Sequence, residues 1–599
     1  MIMKKELLYP FDANYILAKK KRIKRELLAE GERFVDKKIA ILGGSTTNDI
    51  KLILELFLLN QGIRPSFYES EYNKYYEDAV FDNAELEAFA PDLIYIHTSN
   101  CNITRYPQMS DSKSRITDLL EAEYQKYCTI WESIADRYHC PIIQNNFEMP
   151  MYRLMGNRDA SDRHGKVNFL TRLNMMFYDY ADGHENFYIC DINYISADYG
   201  LAEWSDPFFY HMYKYALNVN AIPYLAFNVA NIIKSVFGKN KKGLVLDLDN
   251  TLWGGVIGDD GVENIALGQE VAEGQIYSEF QNYVKEQTQL GVILNIDSKN
   301  DLENAKAGIE HPDSAFCMED FIEIKANWEP KDQNFREIAE DLNLLPESLV
   351  FVDDNPAERS IVAQNLDGVC APEIGDARDY IRILDRNGFF ETTILSEDDQ
   401  KRNEMYRANA DRKKSQHAFT NYHAYLESLQ MEGTILPFDE MSLNRVAQLS
   451  NKSNQFNLTT KRYTRDEMEM RAKDENYITL YGKLEDKFGD NGIVSVVIGE
   501  KIGEECHIEL WIMSCRVLKR DMEYAMLDSL IETCQNKGIK KIRGFYYPTA
   551  KNAMVKDFYG KMGFSQVACD ASGNSEWELD ITSSWKRMND VISINKKKK

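Results

Sequence analysis

Apolar and polar positions along the chain alternate between short strand-like runs and longer helical stripes. Residues 38–42 (KIAIL) predict a strand, Gly43 to Thr47 a turn, and Leu52, Leu56 and Leu59 the apolar stripe of a helix. Further strands are predicted at 93–97, 141–144 and 187–191, with helical patterns between them. Strands alternating with helices of this length imply βαβ units and a mostly parallel sheet. Residues 238–243 (GKNKKG) predict a linker, after which a second α/β series opens at 243–247 and continues with strands at 292–295 and 349–353. From 396 to 429 the chain is charged and poor in Gly and Pro, which predicts a helical, semi-rigid spacer. Beyond 433, strand-like runs at 493–498 and 507–513 surround a helix near 522–536. The resulting division is 1–237, 238–395, a helical linker at 396–430, and 431–599.

Composition narrows the function classes. A chain of 599 residues exceeds a single core, and domains of roughly 150 residues would make about three or four. Lys and Arg number 71 and Asp and Glu 95, a formal charge of −24. Such acidity argues against nucleic acid or an anionic membrane as partner, since both need clustered cations. The basic runs Lys19 to Arg22 and Lys596 to Lys599 read as solvated tails. No apolar stretch is long enough for a transmembrane helix, and the N-terminus lacks the apolar core of a signal peptide. Ten scattered cysteines without a C-x-x-C pair read as reduced, mostly buried thiols of a cytoplasmic protein.

Candidate chemistry sits in the central segment. Asp247 and Asp249 stand where an apolar strand ends, and strand ends of open α/β sheets form ligand sites. The first carboxylate can face a phosphorus atom while the second swings to the leaving oxygen. Two carboxylates cannot approach a phosphate dianion unless a divalent cation screens them. Asp353 and Asp354 follow another apolar strand, and oxygen ligands with retained waters suit Mg²⁺. Ser298 follows the strand that opens at Val292, bringing a hydroxyl and a backbone N–H near a phosphoryl oxygen, and Lys331 offers a cation to the crowded carboxylates and the transferring group. Trp253 reads as packing under a short flap made mobile by Gly254 and Gly255.

This combination resembles the haloacid dehalogenase (HAD) superfamily. The resemblance implies Asp247 as nucleophile, Asp249 as general acid/base and Ser298 with Lys331 as phosphoryl holders. It also implies an Mg²⁺ site of Asp247, the Asp249 carbonyl and Asp353, with Asp354 as a further candidate. The runs 247–261 (DLDNTLWGGVIGDDG), 298–301, 327–331, 352–356, 453–460, 488–492 and 514–518 are similar to the FkbH-like family more specifically. That family implies a phosphatase-like domain acting on a phosphoglyceryl donor, 1,3-bisphosphoglycerate, whose glyceryl group passes to the pantetheine thiol of an acyl carrier protein. The fold class expected is therefore α/β in three domains: an SGNH-like α/β sandwich, a HAD-like Rossmannoid domain with a small cap, and a GNAT-like α+β domain.

The C-terminal segment resembles the end of an N-acetyltransferase (GNAT) domain through Asn552, Asp557 to Tyr559 and Gly563-Phe564. In the loop that holds coenzyme A pyrophosphate in that fold, Lys519 and Asp521 stand at the two glycine positions after Arg516. A pantetheine arm with one phosphate suits the altered loop better, held by Arg516, Asn552 and Tyr559. Cys515 could carry an acyl group or be a packed strand cysteine. Ser45 after a strand, with Asn100, Asp206 and His211, resembles SGNH esterases, although Gly-Gly-Ser-Thr and the four residues between Asp206 and His211 depart from that pattern. A docking platform for a carrier protein is the stronger expectation there. Two rivals remain open: a small-molecule phosphatase with a degenerate transferase scaffold, and a non-catalytic module that binds carrier proteins.

Overall fold

The computed structural model describes residues 3–29, 34–416, 419–453, 455–549, 551–582 and 585–595. The Lys596 to Lys599 run and Asn454 of the 453–460 motif lie outside the described residues. The chain forms two compact units, one of residues 3–239 with 386–393 and one of 240–385 with the remainder.

The first unit is built on a five-stranded parallel sheet of β1 (Val35–Gly43), β2 (Ile63–Glu69), β3 (Leu93–His97), β4 (Ile142–Asn145) and β5 (Phe187–Cys190) in the order β2-β1-β3-β4-β5. Alternation along β1 sends Ile39 and Ile41 into one core and Ala40 and Leu42 into another, so helices cover both faces. The strand β2 escapes a reading of the pattern because it carries Pro65, which cannot donate to a ladder and is tolerated only at an edge. The basic run near the start is no tail. It lies in the helix Ala13–Ala29, whose apolar stripe Ile16, Ile23 and Leu27 is buried. Lys20 reaches Asp49 at 2.8 Å and Arg22 reaches Glu26 at 2.6 Å, so these cations decorate the solvent face of a packed helix.

The second unit holds two sheets. The first is parallel and comprises β6 (Gly243–Leu246), β7 (Ile293–Ser298), β8 (Phe321–Ala326) and β9 (Leu349–Val352) in the order β8-β7-β6-β9. Between β6 and the helix Ala272–Gln287 lie the one-turn helix Ile257–Asp260, the 3-10 turn Val262–Asn264 and two isolated bridges, Asp249 to Trp253 and Gly254 to Ala266, which amounts to a small cap. The second sheet runs β16 (Ser565–Cys569), β17 (Ser575–Asp580), β15 (Lys541–Tyr546), β14 (Glu505–Met513), β13 (Gly489–Ile502), β12 (Tyr477–Asp486), β10 (Met431–Leu436) and β18 (Ile592–Ile594), with β11 (Phe456–Asn457) paired to β14. Helices Glu440–Lys452, Arg465–Lys473 and Met522–Asn536 pack on it, completing a multi-domain α/β architecture.

Two features of this unit bear on function. The charged segment after 396 is helical at Arg402–Gln416, but Met405, Tyr406 and Arg412 on it are buried, and it packs against strands of both sheets. Arg412 donates to Asp486 on β12 at 2.7 and 2.6 Å, with both side chains at most 3 % exposed. The strands β14 and β15 pair in parallel only at 505–507 and 541–543. Beyond that point the chain's own segment 456–459 enters: Leu458 N donates to Trp511 O, Tyr547 N donates to Leu458 O, and the Thr459 hydroxyl donates to Glu509 O.

Candidate active site

Parallel strands bring their C-terminal ends to one edge of a sheet, and the second unit collects its acids there. Asp247 follows β6, with its N–H donating to Val352 O of β9 at 2.9 Å. Asp353 and Asp354 follow β9 directly. These three residues each offer a carboxylate oxygen, and all three oxygens lie within 4.8 Å of one another. Lys331, first residue of the helix Lys331–Asp341, places Nζ 2.9 Å from Asp247 Oδ1 and 2.5 Å from Asp353 Oδ2. Ser298 ends β7 two residues past the Leu246–Ile296 pair and is buried.

The electrostatics explain why one lysine is not enough. Burial, and next the neighbouring Asp247 charge, push the Asp353 carboxyl up to about 6. Burial and Asp247 also raise Asp354. Burial alone would lower Lys331, but Asp247 and Asp353 outweigh it and hold the ammonium above its ordinary range. Three carboxylates facing a single buried ammonium therefore carry uncompensated negative charge, and an all-oxygen donor set of this kind fits a hard divalent cation. The Asp249 side chain lies outside the cluster of three. Its Oδ1 accepts from Trp253 Nε1 at 2.9 Å and Ile257 N at 3.1 Å, and its Oδ2 accepts from Asn300 Nδ2 at 3.1 Å. Burial raises its pKa despite those donors.

Several supporting residues carry no signal in the strand pattern. Trp253 is packed, as its place beside Asp249 under a short flap predicts, but also orients Asp249. It rests on Gly308, where an added Cβ would come within 2.5 Å of the ring, so only glycine lets the helix Leu302–Ile309 approach. Arg359 donates to the carbonyls of Asp353 and Asp354 at 2.6 and 2.8 Å and fixes that turn. Asn250 takes a left-handed φ of 54°, and its carbonyl accepts from Tyr380 Oη at 2.9 Å. Asp297 is fully buried, accepts from Asn334 Nδ2 at 3.1 Å and is raised to about 8 by burial.

The residues singled out elsewhere are not gathered with these. Cys515 packs at the edge of the core of the first sheet of the unit, its sulfur 3.8 Å from Tyr406 Oη. Asn552 is fully buried and spends its amide on Asn457 O and Tyr547 O, while its carbonyl accepts from Thr549 N. Tyr559 is buried among Phe558, Phe564 and Trp577. Lys519 and Asp521 hold φ of 66° and 59°, so the loop keeps the left-handed backbone that glycine would supply. In the first unit Ser45 is buried, and its Oγ has no hydrogen-bond partner among the described residues. Asp206 caps the helix Pro207–Tyr213 by accepting from Phe208 N and Phe209 N. No hydrogen bond or ion pair among the described residues links His211 to Asp206 or to Ser45.

The chain is similar to a solved structure of the N-terminal part of the protein BF1531 from Bacteroides fragilis, which contains a phosphatase domain complexed with Mg. The two share 29% identity over 63% of this chain and 98% of that chain, with a TM-score of 0.57. The ribosomal-protein-S18-alanine N-acetyltransferase from Escherichia coli aligns over 26% of this chain and 99% of its own at 14% identity and a TM-score of 0.21. Ard1 from Thermoplasma volcanium aligns over 25% and 99% at 19% identity and a TM-score of 0.21. No curated protein matches the sequence. No helix among the described residues is long and apolar enough to cross a membrane. Residues 38–234 match the family model of the FkbH N-terminal domain.

Proposed function

We propose that this protein is an Mg²⁺-dependent phosphatase of the FkbH type. In this reading it hydrolyses the phosphate ester of a phosphoglyceryl donor such as 1,3-bisphosphoglycerate. The pantetheine thiol of an acyl carrier protein attacks the donor's carboxyl carbon and displaces the carboxyl phosphate, taking the glyceryl group as a thioester. The observation that carries the reading is the convergence of Asp247, Asp353, Asp354 and Lys331 at the strand ends of one parallel sheet. The Mg²⁺ bound by the similar Bacteroides fragilis structure supports the same ion here, held by Asp247, Asp353 and Asp354, where it would neutralise charge between carboxylates and phosphate.

The chain's own residues supply the rest. Asp247 attacks phosphorus, forming an aspartyl-phosphate as the bond to the leaving oxygen breaks. Asp249, whose carboxyl burial raises, gives that oxygen its proton and then takes one from the water that hydrolyses the aspartyl-phosphate. Trp253, Asn300 and the Ile257 N–H hold Asp249 in place for both transfers. Lys331 and the Ser298 hydroxyl balance the phosphoryl oxygens. The first unit serves as the platform for the carrier protein, without esterase activity of its own, since Asp206 is committed to its helix cap. The internal engagement of Asn552 favours a second reading in which the last sheet is scaffold to a small-molecule phosphatase.

The two readings part in one experiment. Candidate carrier proteins are incubated with the enzyme, Mg²⁺ and phosphorylated glycerates, then weighed by mass spectrometry while phosphate release is followed. A glyceryl adduct on the carrier supports transfer, and phosphate release without any adduct leaves the phosphatase alone. Asp247→Asn should abolish release, a fall of about 10³ or more, equivalent to roughly 4 kcal/mol of transition-state stabilisation. A folded variant that still releases phosphate at the wild-type rate removes the mechanism.

A further inference from the structure

The second unit contains a cleft of about 80 Å³ lined by none of the residues of the acid cluster. Its walls bring together Lys242 just before β6, Arg402 on the helix Arg402–Gln416, Arg445 and Lys452 on the helix Glu440–Lys452, and Arg516 just past β14. Against these five cations stand two carboxylates, Asp398 and Asp399, an excess of three positive charges in a recess. Asp399 is saturated: it accepts from Lys452 at 2.9 and 3.0 Å, from Gln448 Nε2 at 2.7 Å and from Arg402. Asp398 Oδ2 lies 2.9 Å from Arg445 Nε and 3.6 Å from Arg516, yet neither that oxygen nor Arg445 Nε is in a hydrogen bond among the described residues. Arg516 is 7 % exposed at its side chain, so water does little to screen it. Burial pulls Lys452 down to about 8 and Arg445 down to about 10, as happens to cations short of counter-charge.

We propose that this cleft is a binding site for an oxyanion of charge −2, the phosphate of a small phosphorylated compound, held by Arg445, Arg516 and Lys452. A dianion would offset most of the excess charge. Guanidinium forks pair with phosphate oxygens two at a time, which a chloride or a single carboxylate oxygen does not exploit. A water takes about 10–15 Å³ of such space, so the volume admits a tetrahedral anion with a few attached atoms. Cys515 also lines the cleft, which makes its thiol a reporter of occupancy. The proposal stands on this cleft alone and does not require that the acid cluster be a phosphatase.

The test uses the full chain in EDTA, so that the acid cluster holds no metal. Inorganic phosphate and 3-phosphoglycerate are titrated by calorimetry, and the alkylation rate of Cys515 by iodoacetamide is read by peptide mass spectrometry, which separates it from the exposed Cys101, Cys317 and Cys569. Saturable binding, with slower alkylation of Cys515 at the same concentrations, is expected. Arg445→Gln and, separately, Lys452→Met should each weaken both by roughly tenfold, since a charged hydrogen-bond partner of the anion is lost. Circular dichroism checks that each variant is folded, and one folded variant suffices. No binding at millimolar concentration overturns the proposal. So does protection by sodium chloride at equal ionic strength, or binding unchanged in the folded variant.

Discussion

At the scale of single residues, what matters is how burial and neighbours set each carboxyl. The acid cluster shows the outcome for acids that face one another. Glu148 in the first unit shows it for an acid with little compensation: it accepts from Asn100 N at 3.2 Å, and burial pushes it from 4.5 up to about 7. An acid whose pKa is higher folded than unfolded binds its proton more tightly in the folded state. Between pH 4.5 and about 7 the unfolded chain has released the proton and the folded one has not, so stability falls as pH rises through that window and stays lost above it. Glu148→Gln keeps the acceptor without the charge. It should therefore exceed the wild type in stability at pH 8 by on the order of 3 kcal/mol, with the gap closing near pH 4. Denaturant unfolding at the two pH values checks this. Equal midpoints throughout would mean that the carboxylate is solvated in the folded chain.

At the scale of elements, the helix Arg402–Gln416 is the joint of the second unit. A sequence rich in charge reads as a free-standing spacer because its Arg and Lys suggest solvent on every side, but Arg412 is matched to Asp486 across the packing interface. Arg520 adds a further contact to the same carboxylate at 3.3 Å. Asp486→Ala leaves two buried guanidinium groups short of their acceptor and should destabilise the unit by about 3–5 kcal/mol. Asp486→Asn, which keeps an acceptor, should lose less. Guanidinium or thermal unfolding of both variants checks the order, and an alanine variant within about 0.5 kcal/mol of wild type would show the pair to be solvent-screened. Other elements follow simpler rules. The helix Asn48–Asn60 is where the spacing of Leu52, Leu56 and Leu59 puts it, whereas β2 is hidden by Pro65.

At the scale of the whole molecule, each unit has hydrophobic cores of its own, and each should unfold as a cooperative block. Calorimetry should resolve two transitions. Phe57→Ala, at a position 1 % exposed in the first unit, should lower one of them through a cavity worth about 3–5 kcal/mol. Asp486→Ala should lower the other. A single transition shifted by both variants would make the chain one cooperative block.

The sequence by itself determined the strands at 93–97 and 187–191, the second ending one residue earlier in the structure, the strand ends on which Asp247 and Asp353 sit, and the types of residue a phosphoryl site needs, because hydrophobic period and strand-end placement are local properties. Only the tertiary structure decided which groups meet. It set the 2.9 and 2.5 Å contacts of Lys331, turned Trp253 and Asn300 onto Asp249, and committed Asn552 to the segment 456–459. It also assembled the cationic cleft from residues as far apart in sequence as Lys242 and Arg516. Pairings of this kind depend on burial, which strengthens charge interactions and penalises any left unmatched, and burial is a property of the packed chain that no local run of residues encodes.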